Sequence, residues 1–382
     1  MSTTVTVIGA GLGGLTLARV LQRHDVDVVV YDLDAGPDAR PQGGMLDMHE
    51  ESGQAALRAA GLYDEFRAHV LVGGEALRVL DREGRAHLVE EDDGSGGRPE
   101  VPREELRRLL LESLTPGTVR WGRKLVSVRP VGGGRHELTF ADGEVVVATV
   151  LVGADGAWSR VRPLVSEAMP SYSGTALVTT RLYDVDRAHP AAAAAVGSGS
   201  LMALAPGQGI LAHREPGATV EVYAAMHADE AVLASDDLRG LLLDAFSDWA
   251  PELRSLIAEA DDAFVPRPVS MLPVWHSWPR TPGVTLLGDA AHLMSPFAGE
   301  GANLAMQDGA ELAAALVAHG TDDPVAIEAA FTEFEAAMVP RAAEAAGESA
   351  ANLEIALRAD APAGLIEVVT GHGLSVKQLS DS

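Results

Sequence analysis

A chain of 382 residues with 47% hydrophobic and 22% charged side chains has the balance of a globular protein large enough for two lobes. Its 29 Lys and Arg against 55 Asp and Glu give a formal net charge of −26, the wrong sign for phosphate backbones or anionic membrane, so neither nucleic acid nor membrane is expected as a partner. There is no cysteine, which rules out disulfides, thiolate metal sites, iron–sulfur clusters and a cysteine nucleophile, and leaves redox chemistry to a borrowed cofactor.

Val5–Ile8 reads as a strand, Leu12 to His24 as a helix and Val26–Tyr31 as a second strand, one βαβ unit with no leader-like segment before it. The expected location is the cytoplasm. In the turn GAGLGG, Gly9 permits the tight bend, Gly11 lets backbone N–H groups approach a pyrophosphate, and Gly14 lets the helix pack closely on the sheet. The helix N-terminus then faces the anion. Asp32, at the end of the second strand, is placed to accept ribose hydroxyls and to repel a 2′-phosphate.

Further along, Asp92–Gly97 and Gly132–Gly134 read as loops, and Arg103 to Leu114 has helical apolar spacing. The segment GADGAWSRVR, Gly153 to Arg162, puts Asp155 and Gly156 after an apolar strand and before an expected helix. From about 166 to 279 the helical period fades, and Ala176–Leu182, Gly209–Ala212 and Thr219–Met226 read as strands of a mostly antiparallel sheet. Ala191–Ala195 is a loop or short helix. Val284–Leu287 returns to a buried strand and leads into GDAAHLMSPFAGEGANLAMQD, Gly288 to Asp308. Ala326 to Arg358 reads as one long helix.

The three glycine-bearing segments together resemble the FAD hydroxylase superfamily of para-hydroxybenzoate hydroxylase. The runs Gly43 to His49, Ser52-Gly53-Gln54, Arg98-Pro99-Glu100 and Phe246 to Trp249 are similar to the tetracycline-inactivating flavin monooxygenases. The resemblance implies an α/β fold: a Rossmann-like FAD-binding domain (1–70, 98–165 and 280–325), an inserted, mostly antiparallel β-sheet substrate domain (71–97 and 166–279), a C-terminal bridging helix (326–360) and a tail (361–382). It also implies FAD as cofactor. Asp289 would bind the ribityl chain, Pro296, Gly299, Gly301 and Asn303 would lie beside the flavin ring, and Arg103 and Asp47 would reach the flavin. Asp155 and Gly156 would serve both FAD and an incoming NADPH or NADH, which, with no second GxGxxG in the sequence, would have no Rossmann domain of its own and would visit transiently. Arg160 and Arg162 would meet its phosphates or stand as surface arginines.

The implied reaction hydroxylates a small aromatic or multi-ring compound with O2 through a flavin C4a-hydroperoxide. A flavin-dependent reductase or oxidase, a halogenase-like enzyme and a non-catalytic ligand-sequestering flavoprotein stay open as alternatives. On the substrate sheet Thr179, Ser200 and Glu221 stand near the places where the tetracycline-inactivating enzymes use Gln, Arg and His, a departure that predicts poor turnover of ordinary tetracyclines. Leu33 departs similarly from an arginine. No catalytic base is identified; His213, Tyr223 and His227 are candidates only by lying on that sheet. The twelve histidines form no HExxH pair, no GxSxG elbow occurs, and no metal is expected. His292 reads as structural, and Trp275 and Trp278 as packing or a cleft cover. A monomer or weak dimer is expected.

Overall fold

The computed structural model describes residues 3–40, 43–94 and 97–371. It divides into two compact units: the chain up to Val70 with Arg103–Ser171 and Ser270–Ser349, and Leu71–Pro102 with Tyr172–Val269 and the chain from Ala350.

In the first unit, β1 (Val5–Ile8), α1 (Leu12–Arg23) and β2 (Val28–Tyr31) form the expected βαβ unit, followed by β3 (Met45–Asp47) and α2 (Arg103–Glu112). Adding β4 (Val119–Arg120), β5 (Val150–Gly153) and β6 (Val284–Leu286) makes a five-stranded sheet in the order β6-β5-β1-β2-β4, parallel throughout. β1, β5 and β6 are buried along their whole length, so they read as nearly continuous apolar runs in which even Thr6 and Thr285 lie inside. Three helices follow the last strand: the single turn α3 (Asp289–His292), then α4 (Glu300–His319) and the long α5 (Pro324–Ala356), which contains Pro340.

Glycines set two close approaches here. Gly9 has φ +109°, and a methyl on it would lie 2.2 Å from the Ala154 carbonyl oxygen; one on Gly14 would lie 2.2 Å from that of Gly9 and 3.3 Å from Val7, so helix and sheet touch as expected. Gly13 and Gly309 carry a further contact between α1 and α4. A methyl on Gly13 would sit 2.5 Å from the Ala305 oxygen, and one on Gly309 2.4 Å from the Gly13 oxygen.

The helix expected after Gly153 is only a 3-10 turn at Arg162–Leu164. Asp155 takes the Arg160 N–H and the Ser159 hydroxyl takes those of Val161 and Arg162, so local side chains satisfy the donors a helix would use. Within the expected tail, Ala363–Gly371 is helical, and residues 372–382 lie outside the described residues.

The second unit holds a seven-stranded sheet in the order Val265–Met271, Ser171–Leu182, Thr219–His227, Gln208–Glu215, Ser200–Ala205, Leu77–Asp81, Ala86–Glu90. Ser200–Ala205 runs parallel to Leu77–Asp81, and the other registered pairs are antiparallel. Helices Leu238–Ala245 and Pro251–Ala258, which the sequence pattern did not reveal, bury one face of this sheet with Val178, Ile210, Val222, Leu242, Leu253 and Leu256 in the core. Each is only eight residues long, too short for its apolar period to stand out. The alanine run is a short helix, Pro190–Val196, and Phe246 and Trp249 are core residues with ring centroids 5.0 Å apart.

Candidate active site

The glycine turn is held from behind by Asp32. Its Oδ2 accepts the Ala10 N–H at 2.6 Å and its Oδ1 the Asp34 N–H at 2.8 Å, leaving lone pairs on a buried carboxylate. Beside it lies Arg107, a residue not singled out from sequence. Its guanidinium donates to the carbonyls of Ala10 (3.3 Å) and Pro37 (2.7 Å). Burial pulls Arg107 below its ordinary value, while the charges of Asp32 and Asp34 hold the cation in place. A charge inside the apolar stripe between Leu106 and Leu110 was the available signal.

The second and third motifs are tied together by Arg162, which is 2% exposed and not a surface arginine. It donates to the carbonyls of Ala157 (2.7 Å), Ala290 (2.8 Å) and Asp289 (3.2 Å). Arg160 by contrast is exposed. Asp155 accepts the Ser159 hydroxyl at 2.5 Å and the Arg160 N–H at 2.7 Å; burial raises its carboxyl above the usual range, against those two bonds. His292 is buried against Asp308 at 2.6 Å, and Arg341 reaches the other oxygen of Asp308 at 2.9 Å, a structural cluster under the loop. Trp275 is exposed, Trp278 donates to Glu335 at 3.1 Å, and Leu33 is exposed.

At the start of α4, Asn303 is 1% exposed and its amide is fully engaged: it accepts the His49 N–H at 3.0 Å and donates to the carbonyls of Asp47 (2.8 Å) and Gly299 (3.1 Å). Gly53 makes room, since a methyl there would lie 2.2 Å from Asn303 Oδ1. His49 in turn bridges Asp47 and Glu300. Asn303 therefore places Asp47 and Gly299 and has no free donor of its own. Pro296 is exposed, and Gly299, with φ +68°, turns the loop into the helix.

This arrangement suits a dinucleotide with a polyhydroxyl chain. Neither α1 nor α4 has a side-chain cap, so their first-turn N–H groups are available to a ligand. A methyl on Gly11, Gly156 or Gly301 would meet nothing within 4 Å. Asp289 and Arg103 are exposed, and their side chains have no hydrogen-bond partner among the described residues.

In the second unit, register puts Arg181, Glu221, His213 and Ser200 in one row across four strands, with Thr179 opposite Tyr223 in the next. Thr179, Ser200 and Glu221 thus share the face opposite the helices. Tyr223 donates to Glu221 Oε2 at 2.8 Å, and Arg181 approaches Oε1 at 3.5 Å. Burial, and then the charge of Glu221, drive the Tyr223 phenol far above its ordinary value, so it is a donor and not a base. His213 gives its Nδ1 proton to the Arg214 carbonyl at 2.6 Å and turns Nε2 toward Glu100 at 3.5 Å. Burial lowers its pKa and Glu100 more than offsets that, leaving it above the ordinary imidazole value. His227 is exposed at its strand end.

A family model for the FAD binding domain matches residues 2–233 and 250–342, and the chain belongs to that family, the class A flavin monooxygenases. It is an FAD-binding enzyme. The chain is 31% identical to the monooxygenase asqM of Emericella nidulans, over 89% of this chain and 92% of asqM. In fold it is similar to HpxO of Klebsiella pneumoniae complexed with FAD and uric acid, with TM-score 0.79 and 24% identity over 97% and 92% of the two chains. It is also similar to the tetracycline destructase Tet(51), with TM-score 0.73 and 19% identity over 97% and 96%.

Proposed function

We propose that the protein takes reducing equivalents from NADPH or NADH and uses O2 to hydroxylate a small aromatic or multi-ring compound. The observation that carries this reading is the mutual contact of three motifs around open backbone: Gly9 against Ala154, Gly13 against Ala305, and Arg162 against Asp289. Bound FAD supplies electron transfer and oxygen activation.

The chain's own residues would bind and orient it. N–H groups at α1 take the pyrophosphate, Asp32 the ribose and Asp289 the ribityl hydroxyls, with Arg103 and Asp47 on the flavin side. N–H groups at the start of α4, in the Pro296–Gly301 loop, stabilise negative charge on the reduced ring. Asp155, Gly156 and the exposed Arg160 receive the nicotinamide cofactor. Thr179, Ser200 and Glu221 face the substrate, and because they stand near the places where the tetracycline-inactivating enzymes use Gln, Arg and His, ordinary tetracyclines are poor substrates.

The test is incubation with FAD, NADPH or NADH, isotopically labelled O2 and a panel of phenols, quinones, indoles and polyketides. A ligand should stimulate NAD(P)H consumption and gain one labelled oxygen. Consumption without labelled product makes the enzyme a reductase or oxidase, and ligand binding without consumption makes it a sequestering flavoprotein.

A further inference from the structure

His49 lies between two carboxylates, with Nε2 2.8 Å from Asp47 Oδ2 and Nδ1 3.1 Å from Glu300 Oε1. An ionised carboxylate only accepts, so each contact requires a proton. With both carboxylates ionised, the two contacts can be made together only when both protons sit on the ring. The trio then carries a net charge of −1. Glu300 opens α4, and Asn303 holds the backbone of Asp47 and His49 to that helix. The second unit repeats the geometry at His189, whose ring nitrogens lie 3.0 Å from Glu259 and 3.1 Å from Asp261. There burial lowers the imidazole and the two carboxylates more than offset it, keeping it above its ordinary value.

We propose that His49 is a positioning residue, held as an imidazolium between Asp47 and Glu300, that sets the charge presented to FAD at the start of α4. This rests on the assignment of that helix start to the flavin. Two bare carboxylates there would oppose the negative charge of reduced flavin, and the imidazolium cancels one of them. The charge is thus adjusted by a residue that need not touch the cofactor.

Four proteins test this through the midpoint potential of bound FAD: wild type, His49→Gln, Glu300→Gln and the double variant. His49→Gln makes the site one unit more negative, so the reduced form should lose about tenfold in affinity relative to the oxidised form, a fall of about 30 mV for a two-electron couple. Glu300→Gln should move the potential upward. The double variant restores the net charge and should return close to wild type, which a merely structural role would not produce. Nitrogen NMR of the FAD-free protein near neutral pH should show both ring nitrogens of His49 protonated. An unmoved potential in His49→Gln with FAD bound, a double variant no closer to wild type than the single one, or a neutral His49 ring each overturns the proposal. A wild type that binds no FAD sinks the cofactor assignment instead, and the nitrogen spectrum still decides the charge of the ring.

Discussion

In the first unit the surface available to a ligand is largely main chain, at the uncapped starts of α1 and α4 and over Gly11, Gly156 and Gly301. The candidate surface of the second unit is a row of side chains, Arg181, Glu221, His213 and Ser200, laid across strands whose other face forms the core. Main-chain sites are constrained by turns and helix starts and change only if the fold changes. A side-chain face can be rewritten one residue at a time. The same architecture can therefore keep one cofactor while its substrate varies.

The sharpest way to break this contrast is to compare two neighbouring glycines. Gly13→Leu drives a side chain into the backbone of α4 and should destabilise the protein by about 3 kcal/mol in urea denaturation. Gly11→Leu points into open space, so the apoprotein should keep its denaturation midpoint while FAD binding is lost. Early melting of Gly11→Leu would show that packing and ligand glycines are not separable. Next in size is Asp289→Ala, which removes an exposed acceptor and should weaken FAD by about 1.5–3 kcal/mol in titrations of apoprotein, with little change in melting.

Tyr223→Phe takes one donor from Glu221 and should lower stability by about 1 kcal/mol and alter ligand-stimulated NAD(P)H oxidation, leaving FAD affinity as it was. A matching loss of FAD affinity would mean that the two surfaces are not independent. The smallest effect concerns His189, whose pKa is raised in the folded state. Its contribution is fully present below the unfolded value of about 6.5 and is lost as pH rises through the folded value. The stability advantage of wild type over His189→Ala should therefore be largest on the acid side of neutrality and shrink in alkali, and a gap that stays constant with pH would remove the charge from the explanation.

The sequence by itself determined the βαβ opening, the glycine turn with Asp32 behind it, the antiparallel strands around Thr179 and Glu221, and the long helix near its end. These depend on local signals: buried parallel strands are nearly continuous apolar runs, and a helix opening beside a phosphate needs small residues at fixed spacing. Only the tertiary structure decided that Arg162 is buried between two motifs, that Arg107 lies against the first turn, that the Asn303 amide is committed to Asp47, Gly299 and His49, and that His49 bridges two carboxylates. Asn303 and His49 are 254 positions apart, and neither spacing nor hydrophobic period encodes such a meeting. It exists because the sheet order brings β1, β5 and β6 side by side and packs α1 against α4, so the chemistry of those side chains is set by neighbours that the chain supplies from its far end.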